Sequence, residues 1–335
     1  MKTSNPLNLS KFHYLFEMSN SLLKLRLSML GTAALIIGVS TLGFTLIMSG
    51  LGGFSLSSLA VMVAIFNLLQ WLLAPYLINL SYGVKPLDPY TNSELQMSIE
   101  DLSKRSGIKT PKLMISNLAI PNAFAYGSPL TGNHVAVTQG LLNTLNTDQV
   151  NAVIGHELGH IKHKDMHIMM MASFLPSLFY IFSRSMFFTR DRDNKGPQLI
   201  GAASLLIYFV LTLANLGLSR LREYYADQHS ASLLPNNSKL LSEALAKISQ
   251  TTGVVRQLAP NSANSGSFKT LFISDPDVTT RAGRGYGFYR SNPDQALVDE
   301  IKGRKLSGSE RFFELFSTHP NIVKRLRALE ETQSF

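Results

Sequence analysis

The chain has 335 residues, a formal net charge of +9 and no cysteine. The absence of cysteine excludes disulfides and thiolate metal ligands, so any bound zinc must be held by nitrogen and oxygen atoms. The basic residues are spread along the polar segments and do not form a stripe interleaved with aromatic residues, which argues against a nucleic-acid partner.

Four apolar stretches divide the chain, at residues 29–49, 56–80, 168–183 and 199–219. About twenty apolar residues in a helix span the hydrocarbon core of a bilayer, so the first, second and fourth stretches are predicted to be transmembrane helices. The third is shorter and contains Pro176, which leaves a kinked span, an interfacial helix and half of a re-entrant pair open. The pattern indicates an integral membrane protein with about four transmembrane helices.

The charge pattern predicts which side of the membrane the polar segments face. Residues 1–28 contain four basic residues against a single acid, Glu17. Positive charge beside the first span favours a cytoplasmic N-terminus, and two crossings within 29–80 return residues 81–165 to the cytoplasm. The 184–198 loop is also basic, so both a full crossing and a re-entrant hairpin remain open for residues 166–219.

Residues 81–165 show the pattern of a small mixed domain. An amphipathic helix is predicted over 93–107, ended by Gly107. Short strands are predicted at Lys112–Ser116, residues 121–127 and Val135–Thr138. The strand at 121–127 is flanked by Pro121 and Pro129, which suits an exposed sheet edge. The predicted fold class is mainly α with a small β-sheet.

The motif His-Glu-Leu-Gly-His follows at residues 156–160. His156 and His160 are four residues apart on a predicted helix, with Asn146 or Thr147 as its N-cap, so both imidazoles lie on one face and can bind one metal ion. Zinc lowers the pKa of a bound water molecule, and Glu157 is placed to take the proton of that water as it attacks a carbonyl. The motif therefore predicts zinc-dependent hydrolysis.

A catalytic zinc site needs a third protein ligand and one open position. The best candidate is Glu223, just after the fourth apolar stretch. Asp227, one helical turn later, is predicted to accept a hydrogen bond from the outer nitrogen of a ligand histidine. Asp165 is a further candidate for such an outer contact, with a plain helix-terminal acid as the alternative. For Glu223 the alternative is an exposed helix on which Arg220 and Arg222 are its partners.

The C-terminal part is predicted to contain helices at 220–234, 238–250 and 320–332, separated by a loose insertion at 251–310. Three basic residues of the last helix are predicted on an exposed face: Lys324, Arg325 and Arg327. The predicted organisation is a cytoplasmic segment 1–28, two spans in 29–80, a first catalytic part 81–165, a hydrophobic hairpin 166–219 and a second catalytic part 220–335.

Taken together, these motifs resemble HtpX-type members of peptidase family M48, which are membrane-embedded zinc metalloproteases. The matching segments are Asn122–Ala125, His156–His160 with Asp165 after it, Arg222–Asp227 and Ser317–Pro320. The hydrophobic segments match as well. Two of them precede the catalytic helix, and two lie between the histidine pair and the candidate third ligand. The resemblance implies a zincin-like domain with one zinc ion on His156, His160 and Glu223, and with Glu157 as general base.

The resemblance also implies roles for two further segments. Asn122, Ala123, Phe124 and Ala125 would form the edge strand that pairs with an extended substrate peptide. His319 would donate to the reacting carbonyl oxygen; the alternative is that it caps the last helix, which Pro320 would then begin.

The expected function is zinc-dependent endoproteolysis at the cell membrane, with the catalytic domain in the cytoplasm and misfolded or damaged membrane proteins as substrates. One alternative is a protease of lipidated peptides, against which the small number of spans argues. The other is a membrane protein that binds zinc and peptides without hydrolysis, against which the intact Glu157 argues. No oligomeric state is predicted.

Overall fold

The computed structural model describes residues 56–90, 92–187, 196–258 and 292–333. Its helices are α1 (Leu56–Tyr82), α2 (Ser93–Ser106), α3 (Gln139–Thr144), α4 (Thr147–Lys162), α5 (Asp165–Phe187), α6 (Gly196–Leu233), α7 (Asn237–Leu258), α8 (Pro293–Gly303), α9 (Gly308–Glu314) and α10 (Ile322–Gln333). Its strands are β1 (Lys85–Pro86), β2 (Lys112–Ser116), β3 (Ala123–Ser128) and β4 (Gly132–Thr138). The prediction of a mainly α protein with a small sheet is confirmed.

The four strands form one sheet in the order β1–β2–β4–β3. β2 runs parallel to β4, while β3 pairs antiparallel with β4, Ala123 lying opposite Val137. Among the described residues β3 has no second partner strand, so the prediction of an edge strand here is confirmed.

Helix α4 packs across the domain core and carries the His-Glu-Leu-Gly-His motif. Asn146 is its N-cap, and its side chain and that of Gln149 make the two reciprocal hydrogen bonds of a capping box. The buried stripe of α4 contains Val150, Val153, Ile154, Leu158 and Ile161, which join a core shared with the sheet, α7, α8 and α10. Because the stripe fixes the rotation of the helix, the two histidines are held in one orientation.

Three of the described helices, α1, α5 and α6, are long and apolar enough to cross a membrane. They cover three of the predicted apolar stretches, and the first, at 29–49, lies outside the described residues. α5 has 23 residues and continues through Pro176. At about 35 Å it is long enough to cross the hydrocarbon core.

Helices α5 and α6 are joined by two hydrogen bonds that lie far apart along the helices. The Ser183 hydroxyl donates to the Gly201 carbonyl at 2.8 Å, and the Asn215 amide donates to the Ala172 carbonyl at 2.9 Å. The two helices therefore run antiparallel over their apolar length.

Helix α6 is one continuous element, although the sequence suggested a separate helix from residue 220. Its 38 residues extend for about 57 Å, nearly twice the thickness of the hydrocarbon core. The apolar part ends before Arg220, so the remainder, which carries Glu223, lies in the polar domain. A single rigid helix therefore connects the apolar hairpin to the site.

The expectation of a loose insertion at 251–310 is wrong at both of its ends. α7 continues to Leu258, and α8 and the start of α9 are helical. The Asn292 side chain caps α8 by accepting from the Gln295 N–H, and three apolar side chains of α8 enter the core: Leu297, Val298 and Ile301. Residues 259–291 lie outside the described part.

Gly159 permits the close approach of α4 and α6 beside the motif. A Cβ atom at this position would lie 2.9 Å from the Cα of Ala226 and 3.2 Å from the Cβ of His229. Since the obstacle is helix backbone, α6 would have to move away. The glycine thus permits the spacing that brings α6 side chains against the two motif histidines.

We expect Gly159→Ala to lower the free energy of unfolding by about 1–3 kcal/mol, the usual cost of overpacking a tight contact. Thermal unfolding in detergent measures this. The control is Gly303→Ala, since no atom lies within 4 Å of the Cβ added there. An unchanged Tm for Gly159→Ala would show that the helices do not depend on this contact.

Candidate active site

The two motif histidines and Glu223 converge on one point. His156 Nε2 and His160 Nε2 are 3.2 Å apart, and each lies 3.5 Å from a different oxygen of Glu223. One ligand atom from each residue can be chosen so that all lie within 4.8 Å of one another. The structure therefore brings together the three predicted ligands from α4 and α6, which are more than sixty residues apart in the chain.

These separations fit a small metal ion. In a tetrahedral zinc site with metal–ligand bonds of about 2.0–2.1 Å, neighbouring ligand atoms are roughly 3.3–3.4 Å apart. The observed 3.2 and 3.5 Å bracket that spacing. Two imidazoles and one carboxylate are also a donor set of the kind found in catalytic zinc sites.

Carboxylates hold the outer nitrogen of each histidine. Asp227 Oδ1 lies 2.9 Å from His156 Nδ1, and Asp165 Oδ2 lies 2.6 Å from His160 Nδ1. Arg222 approaches Asp165 in turn, with 3.1 Å between Nε and Oδ2. Each acid orients one ring so that its Nε2 faces Glu223, which is the arrangement that positions metal-ligating histidines.

Arg325 is the site residue that the sequence interpretation missed. It was predicted on an exposed face of the last helix, but only 1% of it is exposed. Its Nε and Nη2 donate to the two oxygens of Asp227 at 2.8 and 2.6 Å, and its Nη1 lies 3.2 Å from Glu223 Oε2. The sequence contained a signal for this burial. Arg325 lies three residues after Ile322 and four before Leu329, so it shares the buried face of α10 with them.

The charges of the cluster shift its titration. Burial disfavours the charged form of His156, but the Asp227 and Glu223 carboxylates outweigh it and raise its pKa to about 10. Burial likewise opposes ionisation of Glu223, but His319, His156 and Arg325 hold its pKa well below the usual range. Glu223 is therefore ionised, and His156 carries a proton that a bound metal ion would have to displace.

His319 lies at the ligand cluster, with Nδ1 3.1 Å from Glu223 Oε2. The turn before it is closed by Ser317, whose hydroxyl donates to the His319 carbonyl at 2.8 Å. The alternative of a helix cap is wrong, because the Asn321 side chain accepts the Val323 N–H at 3.0 Å and so caps α10. His319 is instead buried beside Glu223.

Glu157 reaches across from α4 to the edge strand. The Ala125 N–H donates to Glu157 Oε2 at 2.7 Å. The Asn122 carbonyl accepts from the Thr138 N–H, so in the antiparallel alternation Asn122 and Phe124 bond to β4 while Ala123 and Ala125 point outward. The outward backbone groups of β3 therefore face the side on which Glu157 lies.

Two of the four predicted substrate-binding residues have other surroundings. Asn122 is buried, and its N–H donates to Thr138 Oγ1 at 2.9 Å. The Phe124 ring packs between those of Tyr82 and Tyr126, with centroids 5.4 and 5.6 Å away. Of the four predicted residues, Ala123 and Ala125 are the two that direct backbone groups outward.

Comparison with known proteins identifies the family. The model of peptidase family M48 matches residues 89–333. The chain belongs to this family. Relatives named Protease HtpX homolog include one from Thermoplasma volcanium, 35% identical over 82% of each chain, and one from Archaeoglobus fulgidus, 35% identical over 92% of this chain and 87% of the relative. The protein is therefore a membrane metalloprotease.

A solved structure with the same fold is that of Ste24p from S. mikatae. It matches with a TM-score of 0.60 and 19% sequence identity, covering 91% of this chain. This chain spans 65% of the length of that structure. The similarity supports the fold.

We expect Arg325→Ala to destabilise the protein by about 3–5 kcal/mol, because it leaves two buried carboxylates without their cation. Arg325→Lys keeps the charge but loses the bidentate contact with Asp227, so an intermediate loss of stability is expected. Thermal unfolding measures both, with Lys305→Ala at an exposed position as the control. A wild-type Tm for Arg325→Ala would contradict the compensating role of this residue.

Proposed function

We propose that this protein is a zinc-dependent endopeptidase in which His156, His160 and Glu223 hold the metal and Glu157 is the general base. The observation that carries the proposal is the His-His-Glu cluster, with a buried carboxylate one residue after the first histidine. The donor set has no sulfur and contains two oriented imidazoles, which supports zinc as the ion.

Glu157 is suited to move a proton at the reacting centre. A bound zinc ion supplies Lewis acidity to water and to the scissile carbonyl. The Glu157 carboxylate accepts the proton of the attacking water and delivers it to the nitrogen that leaves. The Ala125 N–H, 2.7 Å from Oε2, restricts the carboxylate to one orientation.

His319 is proposed as the donor to the carbonyl oxygen as negative charge develops on it. The observation that supports this role is its position beside Glu223, with both ring nitrogens buried. A donor held in a buried site is already oriented when the charge forms, which lowers the barrier.

The substrate is proposed to be an extended polypeptide that adds a strand beside β3. The outward N–H and carbonyl of Ala123 and the outward carbonyl of Ala125 would pair with the peptide backbone, while the Ala125 N–H remains bonded to Glu157. Such pairing does not depend on side-chain sequence. This tolerance suits misfolded or damaged membrane proteins as substrates. The peptide would lie along the same edge of β3 that Glu157 contacts at Ala125, so the bound strand would lie next to the base.

The proposed domain organisation follows from the continuous helices. α1 is one membrane span, and α5 and α6 form a hairpin inserted between two halves of the catalytic domain. Both ends of the hairpin carry residues of the site, Asp165 and Glu223, so the chain must return to the side from which it left. The charge pattern places that side in the cytoplasm.

We expect Glu157→Gln to retain about one zinc ion per chain and to lower turnover by at least about 10²-fold, the usual contribution of general acid–base catalysis. An unfolded casein-like substrate, with and without chelator, and metal analysis of the same samples measure this. His156→Ala, His160→Ala and Glu223→Ala should lose the metal itself.

The control for this experiment is Glu300→Gln, a change of the same kind at an exposed position of α8. Full zinc content in Glu223→Ala would remove that residue from the ligand set. Undiminished chelator-sensitive turnover in Glu157→Gln would refute the role of the base.

We expect His319→Ala to lower turnover by roughly 10²–10³-fold with little change in KM, because the donor acts mainly in the transition state. Zinc content should stay at one ion per chain. Near-normal turnover with bound metal would end the catalytic role of His319.

Topology is tested by single cysteines, since the chain has none of its own. A cysteine at Gly132, the first residue of β4, should be protected from an impermeant thiol reagent in intact cells. One at Asn194, between the two hydrophobic stretches, should be labelled. Labelling of Gly132→Cys from outside would reverse the assigned orientation.

A further inference from the structure

Helix α9 and the two residues that follow its end carry an exposed apolar surface that no described element covers. Its side chains are Phe312, Phe313, Leu315 and Phe316, which are exposed by 57%, 63%, 47% and 47%. We call these four residues the aromatic face. Exposed apolar residues are normally scattered, so four within five positions mark a surface that meets an apolar partner.

The aromatic face continues the apolar surface of α6. The Phe316 ring lies 6.5 Å from that of Phe209, centroid to centroid. Phe209 precedes Arg220, the first charged residue after the apolar part of α6, by eleven residues, or about 16 Å along the helix. Phe316 therefore reaches well back along the part of α6 that is apolar enough to cross a membrane.

Arg220 fixes this arrangement at the polar end of the span. Its Nη1 donates to the carbonyl oxygens of Glu314, Leu315 and Ser317 at 3.0, 3.2 and 2.8 Å. These are carbonyls at the C-terminal end of α9, which lack helical partners of their own. The guanidinium thus ties α9 to the point at which α6 becomes polar.

We propose that the aromatic face is inserted among lipid acyl chains, so that α9 is a membrane anchor of the catalytic domain. Continuity with α6 selects this occupant, because a bilayer that surrounds Phe209 also surrounds the side chain in contact with it. The exposed basic residues Lys305 and Arg311 flank the face and suit anionic headgroups. Phenylalanine and leucine on an apolar face, with lysine or arginine beside it, are typical of helices that lie in the bilayer interface.

The anchor is directly connected to the site. Phe316 is followed by Ser317, and the Ser317 hydroxyl closes the turn that presents His319. Insertion of the aromatic face therefore places His319 three residues from lipid. The anchor is independent of the proposed reaction, and its test does not require activity.

Tryptophan fluorescence in vesicles tests the proposal. Trp71 is the only tryptophan, so Trp71→Phe provides a silent background for Phe313→Trp. The full chain is reconstituted into phosphatidylcholine and phosphatidylglycerol vesicles, with or without bromine on the acyl chains. We expect Phe313→Trp to lose most of its emission in brominated lipid and to resist quenching by aqueous iodide. Phe312→Trp should behave in the same way.

The control is Glu331→Trp, at an exposed position near the end of α10. The carbonyl of Leu329, two residues before Glu331, accepts a hydrogen bond from the Ser238 hydroxyl at 2.6 Å. Ser238 follows the end of α6 at Leu233, which lies about 36 Å along that helix from Phe209. Iodide should quench the control and brominated lipid should not.

Two results would overturn the proposal. Quenching of both phenylalanine replacements by iodide alone would place the aromatic face in water. Protection from both iodide and brominated lipid would show that protein covers it, either another segment of this chain or a second copy.

Discussion

Two buried carboxylates one helical turn apart determine how the rest of the site is built. Glu223 and Asp227 are both about 3% exposed, and removing such charges from water costs several kcal/mol each without compensation. Arg325 contacts both of them, and His156 lies within 3.5 Å of each. The last helix of the chain is therefore needed to complete a site that begins with the motif on α4. The ligand geometry depends on this charge balance.

The membrane hairpin is part of the same construction. α5 begins at Asp165, which holds His160, and α6 brings Glu223 to the two motif histidines and Arg222 to Asp165. The polar ends of the apolar hairpin thus supply Asp165, Arg222 and Glu223 to the site. Gly159 allows α6 to approach closely enough for these contacts to form.

Sequence patterns predicted the local elements well, because each depended on neighbouring residues. The strand at Lys112–Ser116, the cap at Asn146 and the metal motif all follow from short-range spacing. Arg325 was misplaced because its partners are about a hundred residues away, and a buried arginine resembles an exposed one until its carboxylates are known. The short helix α8 was missed because only three apolar residues mark it, and its burial depends on α7.

Two imidazoles and one carboxylate are proposed to bind a single zinc ion. X-ray absorption at the zinc edge of the purified, membrane-extracted protein tests it most directly. We expect only nitrogen and oxygen neighbours at about 2.0–2.1 Å, with outer scattering from two imidazole rings. A spectrum without imidazole scattering, or with a six-coordinate shell of oxygen alone, would contradict it.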